Sequence, residues 1–347
     1  MSDSDSLVIP PNTVWERADE SPLRVRFLIS LNRWIVVALF SMLGYLMLVA
    51  LAAAGPSTID PMVSGDALGS VFSSIIIAVV TSVTLVLTVA QLVLSEQIEE
   101  LKDQEENLRG EIDFREEVEE LRGIGVSPVK PNEFFRLLLA MVEDRAQRLA
   151  DAVEEDGRTE EFREVVTYAE AVVDDSQSSS DDLRDAEFGS FDVLLPMLHY
   201  NYAWKIHAAR SLAHNYEGEI PAAAADALEE IIDVLRRFAP TREYFKSHYF
   251  QWQIINTARS TLHGAMPALA VAAYMILAFD PGAMRGQLFG ISRLYLFVAA
   301  TYIVVLLPFT VLLAYLLRIL TVVKRTLDIG PFILRETEAD KVTDSVE

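Results

Sequence analysis

The chain has 347 residues, 51% of them hydrophobic and 23% charged, with a formal net charge of −22. Such a length can bury sizeable cores. The carboxylate excess leaves no basic stripe for nucleic acid, and the lack of cysteine excludes disulfides, thiolate nucleophiles, iron–sulfur clusters and cysteine-based zinc sites.

Residues 1–31 are polar, with turn-forming Pro10, Pro11 and Pro22. A first membrane span is predicted at about 34–54. Its Ala52-Ala53-Ala54 end mimics a signal-peptidase site, but the preceding region is long and partly acidic, so a retained span is expected. The loop GPSTIDPMVSGD, without Lys or Arg, leads to a second span at about 68–94. No Pro or Gly separates that span from the acidic stretch up to Leu121, which predicts one continuous helix from Ser70 into the next compartment.

Residues 97–260 read as a soluble helical domain. A break at Gly123, Gly125 and Pro128 precedes a helix from Pro131 to about Glu155, whose apolar face is Phe134, Phe135, Leu138, Leu139, Met141 and Val142. Asp156-Gly157 is a turn, 160–173 a helix, and DDSQSSSDD a mobile loop. Residues 191–215 form a helix kinked at Pro196; Pro221 opens a helix to Phe238, and another starts near Thr241. That last helix leads into a third span at about 261–279, followed by the loop DPGAMRGQ, a fourth span at about 294–317, and a tail over 326–347. The expected fold is therefore all-α: four transmembrane helices in two hairpins (32–96 and 261–325), with a cytoplasmic helical bundle inserted between spans two and three. Lys and Arg cluster before the first span, after the fourth and around the inserted domain, which predicts that both termini and the large domain are cytoplasmic at a plasma membrane.

Within the second span, Ser70, Ser74, Thr81, Thr84, Thr88, Gln91 and Ser95 recur with a mean period of 3.5 residues and share one face. Two readings stand. Ser and Thr can be glue between helices of one subunit, at about 0.6 kcal/mol per bond, or the face can line a wet pore in an oligomer. Burial within one subunit would favour the first reading, and placement on a symmetry axis the second. Gln91 is the best pointer to a specific contact, because it cannot easily satisfy itself on its own helix. Beyond the span, Leu94, Ile98, Leu101, Leu108 and Ile112 form a short heptad seam, a coiled-coil-like start over 95–122 that packs either on its own domain or on another copy. Gly264, Ala268 and Ala272 in the third span make a small-residue ridge for close helix packing.

Two aromatic–polar segments, HYNYAWKIHAAR and REYFKSHYFQWQIINTAR, suggest a juxtamembrane network of His199, Tyr202, Trp204, His248, Tyr249 and Trp252. Their histidines lack metal-ligand spacing, so no metal is expected. No Asp, Glu, Lys or Arg lies in a span core, which argues against proton-coupled and voltage-sensing roles. With no phosphate-cradling Gly loop, HExxH or GxSxG, neither an enzyme nor a cofactor is expected.

With 51 acidic against 29 basic residues, only 6 of these lysine, the surface points to a halophile, where a Debye length of about 3 Å at molar salt screens self-repulsion. An acidic domain of an ordinary cytosol is the alternative. The segments VTLVLTVAQLVLSEQ, FREEVEE, HYNYAWKIHAAR, YFQWQIINTAR and VVKRTLDIGPFILRE resemble a set found in haloarchaeal multi-pass membrane proteins of unassigned function. This resemblance spans nearly the whole chain and implies an archaeal plasma membrane, but assigns no activity and no site residues. The topology is also similar to that of bestrophin-like anion channels, without their pore motifs. The expected function is a non-catalytic scaffold, sensor or adaptor whose helical domain binds a protein partner. The alternative is an oligomeric channel lined by the second span. The partners implied are the lipid bilayer, an unknown cytoplasmic protein and further copies of the chain.

Overall fold

A computed structural model describes residues 33–54, 66–96, 101–184, 186 and 191–325. The helices are α1 (Arg33–Ala54), α2 (Asp66–Glu96), α3 (Leu101–Arg122), α4 (Pro131–Glu155), α5 (Arg163–Asp182), α6 (Phe191–His199), α7 (Tyr202–Asn215), α8 (Ala222–Leu277) and α9 (Arg293–Arg325). The chain is mostly helical, and α1, α2, α8 and α9 are each long and apolar enough to cross a membrane. The expectations for 1–31, the first loop and the tail lie outside the described residues. So does the continuity of the helix between α2 and α3, because 97–100 are not described.

The chain divides into two units. Of the described residues, the hydrophobic unit holds 33–54, 66–96 and 250–322, and the polar unit 101–184, 186, 191–249 and 323–325. In the hydrophobic unit, Leu68, Phe72, Ile75 and Val79 of α2 meet Ala265, Ala268, Ala272 and Met275 of α8, with Leu294 and Val305 of α9. The small-residue ridge is thus a packing surface. Pro308 Cγ lies 3.6 Å from where a side chain on Gly264 would begin. Val36 and Val37 of α1 pack on Val311, Ala314 and Tyr315 of α9, and the Tyr295 hydroxyl donates to the Leu48 carbonyl at 2.9 Å.

In the polar unit, α4 turns the predicted apolar face inward, together with Ala146, Leu149 and Val153. Its main partner is α5. Gly123 and Gly157, at φ +72° and +73°, end α3 and α4 in the left-handed conformation that glycine adopts without a Cβ clash. The loop after α3 is held by its own helix. Arg115 donates to the Ser127 and Pro128 carbonyls, both at 2.9 Å, and Glu119 accepts the Ser127 N–H at 2.7 Å.

The structure corrects three expectations. First, DDSQSSSDD is not a loop; it is the last part of α5. Asp175, Ser176 and Ser179 continue the buried line of Tyr168 and Val172 at helical spacing, and the Asp175 and Ser176 side chains bond to Lys205 and Tyr200 inside the core rather than to water. Second, residues 191–215 are two helices rather than one kinked at Pro196. The break falls after His199, where the Asn201 side chain caps α7 by accepting the Trp204 N–H at 3.2 Å.

Third, the helices expected on either side of residue 240 are one, α8, which is helical through Pro240. A proline inside a helix costs about 3 kcal/mol. Phe238 offsets this cost: it is fully buried against Phe135, Tyr200 and Tyr202, with ring centroids at 5.5, 4.9 and 6.2 Å. Burying one such ring contributes about 1.5–3 kcal/mol, and each aromatic pair about 0.5–1.5 kcal/mol more. The fold is mostly helical, as expected. The segment between α8 and α9 holds a 3-10 turn, Pro281–Ala283, and two short antiparallel strands, β1 (Gln287–Leu288) and β2 (Ile291–Ser292).

Candidate functional site

Ser70, Ser74, Thr81, Thr84, Thr88 and Gln91 lie on one side of α2, and that side is exposed. The buried line is Leu68, Phe72, Ile75, Val79, Ser82, Val86, Ala90 and Val93. Ser70 and Ser74 each stand two residues from Phe72, and Thr84 and Thr88 two from Val86; two residues are about 200° round an α-helix. Ser70, Ser74, Thr81, Thr84, Thr88 and Gln91 are all exposed on the chain. From Ser70 to Gln91 the strip runs about 32 Å along the axis, close to the roughly 30 Å thickness of a hydrocarbon core.

Four hydroxyls of this strip donate to backbone carbonyls one turn back. Ser74 donates to Ser70 at 2.9 Å, Thr81 to Ile77 at 2.8 Å, Thr84 to Val80 at 2.9 Å, and Thr88 to Thr84 at 2.9 Å. Each hydroxyl thereby places its one proton and keeps its oxygen lone pairs outward. The strip therefore presents acceptors to whatever lies against it. Gln91 differs: an amide has two donors and two acceptor sites, more than one backbone carbonyl can satisfy.

The residues of the predicted juxtamembrane set lie in different surroundings. Tyr202 and Trp204 are buried in the polar unit. Tyr202 lies beneath the Arg242 guanidinium at 4.6 Å, and the Trp204 ring is 6.0 Å from that of Tyr168. His199 is half-buried at the end of α6, and Tyr249 is buried. His248 is exposed, its ring 4.2 Å from Tyr244 and its Nδ1 3.0 Å from the Tyr244 carbonyl. Trp252 is exposed one turn after His248 on α8. Among the described residues, no three His, Asp or Glu side chains come together as a metal site would require.

Sequence reasoning missed a buried polar cluster in the polar unit. Lys205 is 0% exposed, and its ammonium bonds to the Asp175 carboxylate. The ammonium also lies 4.4 Å from the Tyr200 ring centroid and 5.6 Å from that of Trp204. The Tyr200 hydroxyl is 2.9 Å from Ser176 Oγ, and the Tyr168 hydroxyl donates to the Lys205 carbonyl at 3.0 Å. Burial pushes both tyrosines well above the usual phenol range. These groups satisfy one another, which makes the cluster a pin between α5 and α7 rather than a reactive centre.

Arg145 is a second such pin. It donates to the Leu121 carbonyl at the end of α3 and to Met141 at 2.9 and 3.1 Å, and pairs with Glu230 of α8 at 3.2 Å. Burial draws its pKa down, and the Glu230 charge opposes that shift.

No curated protein and no solved structure matches the chain. One family matches it along its whole length, residues 1–347. The protein belongs to a family of unknown function, DUF7972.

Proposed function

We propose that the protein is a non-catalytic, homo-oligomeric membrane protein in which copies of α2 surround an axis and their Ser/Thr/Gln strip lines a hydrated path for small ions. The observation that carries this reading is the exposure of the strip. A polar face that served as glue within one subunit would be buried in that subunit, and this one lies on the back of α2, away from Phe72, Val79 and Val86. Facing hydrocarbon, the outward lone pairs and the Gln91 amide would have no partner. Facing a shared aqueous axis, they would have water and ions, and hydroxyl oxygens with their protons turned inward suit a passing cation.

In this reading the chain lies in a plasma membrane with the polar unit cytoplasmic. Purified protein in liposomes is expected to give ion flux above empty liposomes, reduced by Gln91→Leu and by Thr84→Val. Folded protein that gives no flux would contradict the conducting role.

A partner-binding scaffold is the second reading, favoured by α3. Its residues 102–113 are all exposed, including Leu108 and Ile112 of the heptad seam. A three-turn stretch with Gly110 in it is a weak helix alone, which suits a surface that another helix covers. Pull-down of one defined partner that is lost in Leu108→Asp and Ile112→Asp, with flux absent, would select this reading.

A further inference from the structure

The segment between α8 and α9 holds a strained and exposed aromatic residue. Asp280 opens the segment by accepting the Gly282 N–H at 2.8 Å. The strand pair follows, Gln287 opposite Ser292 and Leu288 opposite Ile291, and the Arg293 N–H donates to the Gly286 carbonyl at 3.1 Å. Phe289 and Gly290 make the two-residue turn, at φ +52° and +80°. Two positive values match the twist of a tight hairpin, and Asn-Gly or Gly-Gly adopt them readily. Phenylalanine does so only with its Cβ pressed toward the backbone. Among the described residues it is the only non-glycine at positive φ. Phe289 is also 94% exposed, and Leu288 beside it is 44% exposed. Facing water, this tip would combine backbone strain with a bare aromatic ring.

Its place in the chain identifies what covers it. The segment joins two helices that are each long and apolar enough to cross a membrane, so it emerges where they do. Phe289 is four residues before Arg293, the first residue of α9, a reach of at most about 14 Å. The headgroup layer, where aromatic rings concentrate, begins at the end of the hydrocarbon. The hairpin is tethered to the helix ends: Phe279 stacks on Phe297 at 5.3 Å, and Met284 packs on the α2–α8–α9 core. Arg285 and Arg293, both exposed, bracket it with guanidinium groups suited to lipid phosphate.

We propose that the Leu288–Phe289 tip is a membrane anchor that inserts into the headgroup–acyl boundary of the leaflet from which α8 and α9 emerge. The positive-φ turn sets the ring outward in advance of contact, so little ordering cost remains on insertion. The assignment rests on the membrane placement above and is independent of ion conduction.

The chain has no cysteine, so Phe289→Cys takes a nitroxide label at one position, with Ala283→Cys as the control in the neighbouring turn. Both are read in full-length protein in phosphatidylcholine–phosphatidylglycerol liposomes, by collision with oxygen and with a water-soluble nickel chelate. The ratio is expected to favour oxygen at 289 and nickel at 283. Nickel-favoured collisions at 289 overturn the anchor. So does spin–spin broadening at 289 that vanishes on dilution with unlabelled protein, which would mean a second copy covers the tip. Retention of the protein through an alkaline carbonate wash separates failure of the anchor from failure of the membrane placement. Phe289→Trp keeps an aromatic ring at the tip. Its added fluorescence is expected to be quenched more by lipids brominated near the headgroup than by lipids brominated deep in the chains; equal absence of quenching overturns the anchor independently of the cysteine variant.

Discussion

Asp175→Asn is expected to destabilise the contact between α5 and α7 by about 3–5 kcal/mol, the cost of leaving a buried charge without its counterion. The size follows from the geometry. Lys205 is fully buried, its ammonium lies against the Asp175 carboxylate, and the Asp175 side chain is only 8% exposed. Neutralising the carboxylate keeps the side chain's shape but leaves the cation. The Tyr200 and Trp204 rings that face it at 4.4 and 5.6 Å contribute about 0.5–2 kcal/mol, less than the desolvation cost of several kcal/mol. The loss is a large share of the roughly 5–15 kcal/mol that holds a domain folded. Hydrogen exchange on the full-length protein in nanodiscs reads it directly. Peptides from α5 and α7 are expected to exchange about 10²-fold to several thousand-fold faster, at about 1.4 kcal/mol per decade. Joint replacement by Asp175→Leu and Lys205→Met removes both charges and is expected to recover most of the protection. Acceleration below about tenfold in Asp175→Asn, or a double variant as damaged as the single, would refute the argument.

Ala272→Leu forces a large side chain into the fully buried α2–α8–α9 seam and is expected to cost about 1–3 kcal/mol, read as a lower midpoint of thermal unfolding in detergent. Asn201→Ala removes the cap of α7 and is expected to cost about 1 kcal/mol, seen as faster exchange at the Trp204 amide. Hydrogen bonds from Ser127 hold the Glu119 carboxyl below its ordinary range. A depressed folded pKa means that its contribution is fully present above the unfolded value, about 4.3, and is lost as pH falls through the lower folded value. Protection of the Ser127 amide is therefore expected to persist at neutral pH and to fade in acid, and Glu119→Gln is expected to remove that dependence.

The membrane-length helices were legible because a charge-free run of span length has few alternative readings in water. The inward face of α4 was legible for a related reason: Phe134, Leu138, Met141 and Val142 repeat at helical spacing. The end of α5 was not, because Asp175, Ser176 and Ser179 look like loop residues until Lys205 and Tyr200 are placed beside them. A local signal did exist. These residues fall three, four and seven positions after Val172, on the line of Tyr168, and Lys205 is one of only 6 lysines in the chain. Pro240 misled in the opposite direction, since a local breaker was outweighed by the rings around Phe238. The α2 strip was legible as a pattern, but which way it faced was not. Periodicity groups residues on one side of a helix, and only the positions of α8 and α9 determine whether that side is buried.

The central claim is that the exposed strip of α2 faces water within an assembly of copies. Since the chain has no cysteine, single cysteines placed one at a time from residue 70 to 91 can be tested in native membranes with a membrane-impermeant thiol reagent. Labelling is expected at 70, 74, 81, 84, 88 and 91 and absent at 72, 75, 79 and 86. Labelling without that period, or a strip that stays unlabelled in a protein shown to be monomeric in the membrane, would contradict the account.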